Sequence, residues 1–120
     1  MKTVIKTEGT EEFFNRGKLI ARLADRGEAM PRERVIAFED PEDLARLITT
    51  AKLALFREVR NCPGSITELS VRLHRDRSAV KRDIDALERA GLIEIETKPH
   101  PGHGRKKEVR AVADQVLLAI

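Results

Sequence analysis

The 120-residue sequence predicts an α+β fold, mainly helical, and three observations carry that prediction. Apolar residues recur at intervals of three and four through the centre of the chain, the period of helices with one buried face. Two short segments near the C-terminus, LIEIE and KEVRAV, alternate apolar and polar residues around HPGHG, as the two arms of a hairpin do. The composition is 41% apolar and 36% charged, which suits a folded, heavily charged domain and not a disordered chain.

The elements follow in order. The first nine residues are compatible with a short strand or a loose end. Residues 11 to 26 read as an amphipathic helix, with Phe13, Ile20, Leu23 and Ala24 on one face; Gly17 weakens it and Gly27 is a stop. RVIAFE, residues 34 to 39, is rich in strand formers. EDPEDL then starts a helix: Asp40 caps, Pro41 fits the first turn, and Glu42 and Asp43 complement the dipole. Leu44, Leu47 and Ile48 belong to this short helix, and a second begins near Thr50 with Leu53, Phe56 and Val59 facing inward. NCPG, residues 61 to 64, is a turn.

Ser65 stands three residues before Glu68, the spacing of a capping box. Ile66, Leu69 and Leu73 continue at helical spacing. Asp76 then caps a helix whose buried face is Val80, Ile84 and Leu87, and Gly91 ends it. The hairpin follows, and the tail DQVLLAI is apolar. A helix, a tight turn, a second helix and a hairpin in this order make a winged helix-turn-helix with an N-terminal helix and strand extension. The expected boundaries are 1–40 for the extension, 41–113 for the winged helix-turn-helix and 114–120 for the tail.

Bulk properties exclude several classes. With four Phe and neither Trp nor Tyr, the chain lacks the aromatic platforms on which single-stranded bases stack. One cysteine, Cys62, rules out an internal disulfide framework and a cysteine zinc site. The N-terminus has no signal-peptide core and no stretch approaches a membrane span, so a cytoplasmic protein is expected. His74, His100 and His103 make a poor metal site on a Gly/Pro loop without an acidic ligand. Nothing orients Cys62 as a nucleophile, and no phosphate-cradling glycine loop or carboxylate pair is present. The sequence therefore predicts no enzyme, no metal and no cofactor.

Charge is distributed more tellingly than its sum of +3. Between Val71 and Arg82 there are five cations and one acid. With Val80, Ile84 and Leu87 in the core, Ser78, Lys81 and Arg82 lie opposite them near the start of the helix, with Arg77 in its first turn. That is the end of a recognition helix that reaches base edges. Asp83, Asp85 and Glu88 would repel phosphate, so they are expected to face away from DNA or toward Arg residues of the protein. Residues 97 to 107, TKPHPGHGRKK, hold four cations and no acid. Arg105, Lys106 and Lys107 cluster at the start of the second hairpin strand, where long cations meet phosphate. For each patch alone, a solvated surface is the competing reading; two patches on neighbouring elements favour DNA.

The span SITELSVRLHRDRSAVKRDIDALERAGLIE resembles the MarR-like winged-helix transcription regulators. RVIAFEDPEDLARLITTAKLALFREVRNCPGSITELS is similar to the small MarR-like DNA-binding regulators of prokaryotes, some of which stand beside a toxin and act as antitoxins. The likeness covers residues 34 to 113 and is most specific over 65 to 93. It implies a double-stranded DNA-binding regulator, a repressor working as a homodimer, with an antitoxin that neutralises a small toxin as the alternative. By position it assigns DNA contacts to Arg77, Ser78, Lys81 and Arg82, and wing contacts to Arg105, Lys106 and Lys107; Ser65, Arg75 and His103 complete the expected DNA-binding set. Two positions depart from the pattern: Arg75 replaces a common apolar residue, and Lys81 a small hydroxyl residue. Phe13, Ile20 and Leu23 are the expected dimerisation surface.

Overall fold

The computed structural model describes residues 2–29, 33–102 and 104–119, with the backbone alone at His100. In chain order the elements are β1 (Lys2–Thr7), α1 (Thr10–Asp25), β2 (Glu33–Phe38), α2 (Pro41–Leu47), α3 (Thr50–Asn61), α4 (Ile66–Leu73), α5 (Arg77–Arg89), β3 (Ile93–His100), β4 (Gly104–Ala111) and β5 (Gln115–Ala119). They group into two compact units, residues 1–46 with 115–120 and residues 47–114. The fold is α+β, as the sequence predicts.

The first unit is a three-stranded sheet of order β2-β1-β5 in which both pairings are parallel. Parallel neighbours need a long crossover; α1 supplies it between β1 and β2. The C-terminal tail, too short to read from sequence, becomes β5, with Leu117 opposite Val4. Thr3 and Ile5, two residues apart on one face of β1, are fully buried. The Glu8 side chain is almost fully enclosed at the end of β1, held by Arg16 and by Lys6 at 3.2 Å. Burial pushes its carboxyl up, but hydrogen bonds and charge from Arg16 and Lys6 outweigh this and hold it below the ordinary value.

α1 ends as expected at Gly27, whose φ of 66° is left-handed. Gly27 N donates to Ala24 O and Glu28 N to Leu23 O, which satisfies two carbonyls of the last turn. None of the 16 residues of α1 is buried. At the other junction Asp40 caps α2, its Oδ1 accepting from Glu42 N at 2.9 Å.

The second unit is built around Leu55, Phe56 and Val59 of α3, Leu69 of α4, Val80, Ile84 and Leu87 of α5, and Ile93 and Val109 of the hairpin. A fully buried side chain of this kind contributes about 1.5–3 kcal/mol. The α5 face is the expected one. On α3 the expectation needs a correction: Leu53 is 41% exposed and Leu55 takes the inward place. The buried set 55-56-59 is centred about 50° round the helix from a 53-56-59 stripe, at 100° per residue, which is enough to leave Leu53 at the solvent edge.

Both cap expectations for α4 and α5 hold. Ser65 Oγ accepts from Glu68 N at 3.1 Å, and the Glu68 carboxylate accepts from Ser65 N in return. Asp76 Oδ2 accepts from Ser78 N and Ala79 N. Between these helices His74 adopts a left-handed φ of 53°, so that Arg75 N reaches Ser70 O and His74 N reaches Val71 O. Gly91, at φ 79°, closes α5: its N–H donates to Glu88 O and that of Leu92 to Leu87 O.

β3 and β4 pair antiparallel from Ile93 opposite Ala111 to His100 opposite Gly104, so the strands run further into HPGHG than alternation alone suggests. The turn before α4 joins this hairpin through Gly64, which exchanges backbone hydrogen bonds with Val109 at 3.3 and 2.8 Å. A Cβ at Gly64 would lie 2.7 Å from the Arg72 guanidinium and 3.2 Å from the Glu68 carboxylate. Both atoms are the ends of long side chains, so a larger residue at this position would displace the Arg72 and Glu68 groups rather than the backbone. Helices α3 to α5 with this hairpin form a winged helix-turn-helix.

Candidate nucleic-acid interface

α4 is the element that brings the two basic patches together. Arg77, at the first position of α5, donates from Nε to Thr67 Oγ1 at 3.2 Å. Lys106, on the wing strand β4, forms an ion pair with Glu68. Consecutive residues of α4 thus hold the start of α5 on one side and the hairpin on the other. Lys106 is also the main reason the Glu68 carboxyl lies below its ordinary value, ahead of the opposing effect of desolvation.

On α5, Ser78, Lys81 and Arg82 are exposed, on the side away from Val80, Ile84 and Leu87. Lys81 reaches Asp85 one turn on, at 3.0 Å. Both groups are solvated, and such an (i, i+4) pair is worth about 0.3–0.5 kcal/mol, so it is easily broken. Between α4 and the start of α5 lies an open groove of about 560 Å³ lined by Thr67, Val71, His74 and Arg77 among others. Val71 is 67% exposed within it.

The wing sorts its charges by face. Glu94, Glu96 and Lys98 share one face with Lys106, Glu108 and Arg110. There Lys98 pairs with Glu108 at 3.1 Å and Arg110 with Glu96 at 2.9 Å, so that face is largely neutralised. Lys107 opposite Thr97 and Arg105 opposite Pro99 extend the other face, beyond buried Val109, and both are exposed. His103, expected in the DNA-binding set, lies outside the described residues.

Arg75, expected in the DNA-binding set, already has a partner within the protein. Arg75 does not present its guanidinium outward: Nη2 donates to Asp83 Oδ2 at 2.7 Å, and Nη1 is enclosed. Asp83 is a buried residue on the core side of α5. Arg75 thus serves as the partner of a buried carboxylate within the protein. Ser65 spends its oxygen on the α4 cap and is half-buried. Sequence reasoning missed Thr67, Val71 and the Arg75 partner. The expectation that Asp83 turns toward an arginine of the protein was the available signal.

Of the expected dimerisation residues, Phe13 and Ile20 are exposed and Leu23 is half-buried. Among the described residues no helix is long and apolar enough to cross a membrane, and no three His, Cys, Asp or Glu side chains are grouped to hold a metal ion.

Three solved structures are similar to this chain. A possible transcriptional regulator from Methanosarcina mazei Go1 is similar at 22% identity over 60% of this chain and 65% of that one, with a TM-score of 0.49. A MarR-like transcriptional regulator from Thermotoga maritima is similar at 21% identity over 88% and 65%, TM-score 0.47. A mutant MarR from E. coli, complexed with operator DNA, is similar at 23% identity over 88% and 69%, TM-score 0.47. The chain thus spans 65% of the length of the first two. No curated protein matches it. The family model HVO_A0114 matches residues 47–118, more than half of the sequence and nearly all of the winged helix, and the chain belongs to the HVO_A0114 family.

Proposed function

We propose that the chain is a sequence-specific, double-stranded DNA-binding transcriptional regulator that acts as a homodimeric repressor. In this reading the N-terminal half of α5 enters the major groove, where Ser78, Lys81 and Arg82 meet base edges and phosphates, and Arg77 is oriented by Thr67 toward the same groove. Arg105 and Lys107 meet the flanking backbone. The observation that carries it is the placement of Arg77 and Lys106 on neighbouring α4 residues, which sets both cationic elements around one helix. A solubilising charge pattern has no need of that arrangement.

Two recognition helices about one duplex turn apart supply the affinity and specificity that one small module lacks. The test is selection of bound sequences from random duplex DNA with the full chain. A partly palindromic consensus is expected; recovery of unenriched sequence would reject specific recognition.

A further inference from the structure

We propose that Arg77 recognises a guanine, its Nη1 and Nη2 donating to O6 and N7 in the major groove, and that Thr67 is the residue that positions it. This names a base for the site described above and rests on the double-stranded DNA reading. Arg77 is the first residue of α5 and is exposed, at the end of a recognition helix that reaches base edges. It differs from its cationic neighbours in how it is held. Arg75, Lys81 and Lys106 are each paired with a carboxylate, that of Asp83, Asp85 and Glu68 in turn, so their charge is answered within the protein. Arg82 is exposed, with no hydrogen bond or ion pair among the described residues to orient it. Arg77 is both oriented and unneutralised. Its Nε donates to the neutral Thr67 Oγ1 at 3.2 Å, and it forms no ion pair among the described residues.

The bond to Thr67 selects the geometry of the contact. A guanidinium grips a pair of acceptors side-on, through Nε and one Nη, or end-on, through both Nη atoms. With Nε engaged, the end-on fork is left, and Nη1 and Nη2 have no partner among the described residues. Guanine presents O6 and N7 side by side in the major groove, and an arginine fork fits that pair of acceptors. The other bases do not offer it: adenine sets a donor beside N7, cytosine presents a donor, and thymine has one acceptor beside a methyl.

The surroundings favour a base over a phosphate. Val71, 67% exposed, lines the same open groove as Thr67 and Arg77. Apolar surface beside the fork suits the base edges, where thymine carries a methyl, better than a chain of charged oxygens. Holding the long arginine side chain before DNA arrives also reduces the entropy lost on contact.

The test carries out selection from random duplex DNA with the full chain and with Arg77→Ala, Thr67→Val and Thr67→Ser, each checked for folding by circular dichroism. The consensus of the unaltered protein should contain a guanine that Arg77→Ala no longer selects, while its other positions persist. Replacing that guanine with 7-deazaguanine, which lacks the N7 acceptor, should weaken binding about five-fold or more for the unaltered protein and less than about two-fold for Arg77→Ala. Thr67→Val keeps the side-chain shape and removes the acceptor. It should lower the preference for guanine over adenine at that one position and leave the salt slope unchanged, because the cation remains; Thr67→Ser should restore the preference. A packing role for Thr67 would instead weaken all sequences alike. If Arg77→Ala weakens selected and random duplex equally and lowers the salt slope by about one, Arg77 holds a phosphate, and the proposal is overturned while DNA recognition stands. A guanine preference that survives Thr67→Val would overturn the positioning role. Failure of the unaltered protein to enrich any sequence would overturn the reading itself and this inference with it.

Discussion

Replacing Arg75 separates a structural cation from a DNA-binding one. The guanidinium lies 2.7 Å from Asp83, whose side chain is 12% exposed, while that of Arg75 is 25% exposed. Arg75→Met removes the partner and leaves a nearly buried carboxylate. Breaking a fully buried pair in this way costs about 3–5 kcal/mol. With both groups partly solvated, a loss of about 2–3 kcal/mol is expected, within the range of a charge-assisted hydrogen bond. Asp83→Leu alone should cost a similar amount, because the cation then loses its carboxylate. The double variant Arg75→Met with Asp83→Leu replaces both charges with apolar groups and should recover most of the stability. Urea unfolding of the four proteins measures the coupling, and titration of duplex DNA at several salt concentrations measures binding. The double variant should bind with unchanged affinity and salt dependence. If it regains stability but loses affinity, with a salt slope smaller by about one, Arg75 neutralises a phosphate and its assignment to the fold is wrong.

Other outcomes follow from single contacts. Lys107→Ala should weaken specific and random duplex alike and lower the salt slope by about one unit, whereas Lys106→Ala should do less, because Lys106 is already engaged by Glu68. The Glu68 carboxyl titrates below its ordinary value, so the stability its ionised form contributes is full above the unfolded value and fades as pH falls through the lower folded one. Stability differences between the protein and Glu68→Gln, followed by thermal melts from pH 7 to pH 3, should therefore shrink in acid; a difference that grows would contradict the pairing. Gly91→Ala forces a left-handed φ of 79° on a residue with a Cβ and should destabilise the second unit by about 1–2 kcal/mol, read by chemical denaturation.

Much of the winged helix was legible because its signals are local. The capping residues Ser65 and Asp76, the stop at Gly91 and the 80-84-87 stripe each act within a few residues of chain. The pairing of the tail as β5 was not legible, since its partner β1 lies more than a hundred residues away and nothing local to DQVLLAI names it. Leu53 misled because α3 offers apolar residues at 53, 54, 55, 56 and 59, which fit more than one stripe. In the candidate interface, exposed Ser78, Lys81 and Arg82 followed from the buried face opposite them. Arg75 did not, because a cation beside a basic run reads as part of it until the buried Asp83 is seen across the turn. Thr67 was invisible for the same reason, as its role exists only where α4 and α5 meet.

The central claim is that α5 reads base edges while the wing holds phosphate, and one measurement addresses it: the ratio of affinities for the selected duplex and a random duplex, compared between Lys81→Ala and Lys107→Ala. A good base contact is worth about 1–3 kcal/mol of discrimination, so Lys81→Ala should reduce the ratio by roughly five-fold or more. Lys107→Ala should weaken both affinities and leave the ratio within about two-fold, since phosphate contacts carry no sequence information. A ratio that collapses in Lys107→Ala and survives in Lys81→Ala would make the wing the reader and contradict the placement of α5 in the groove.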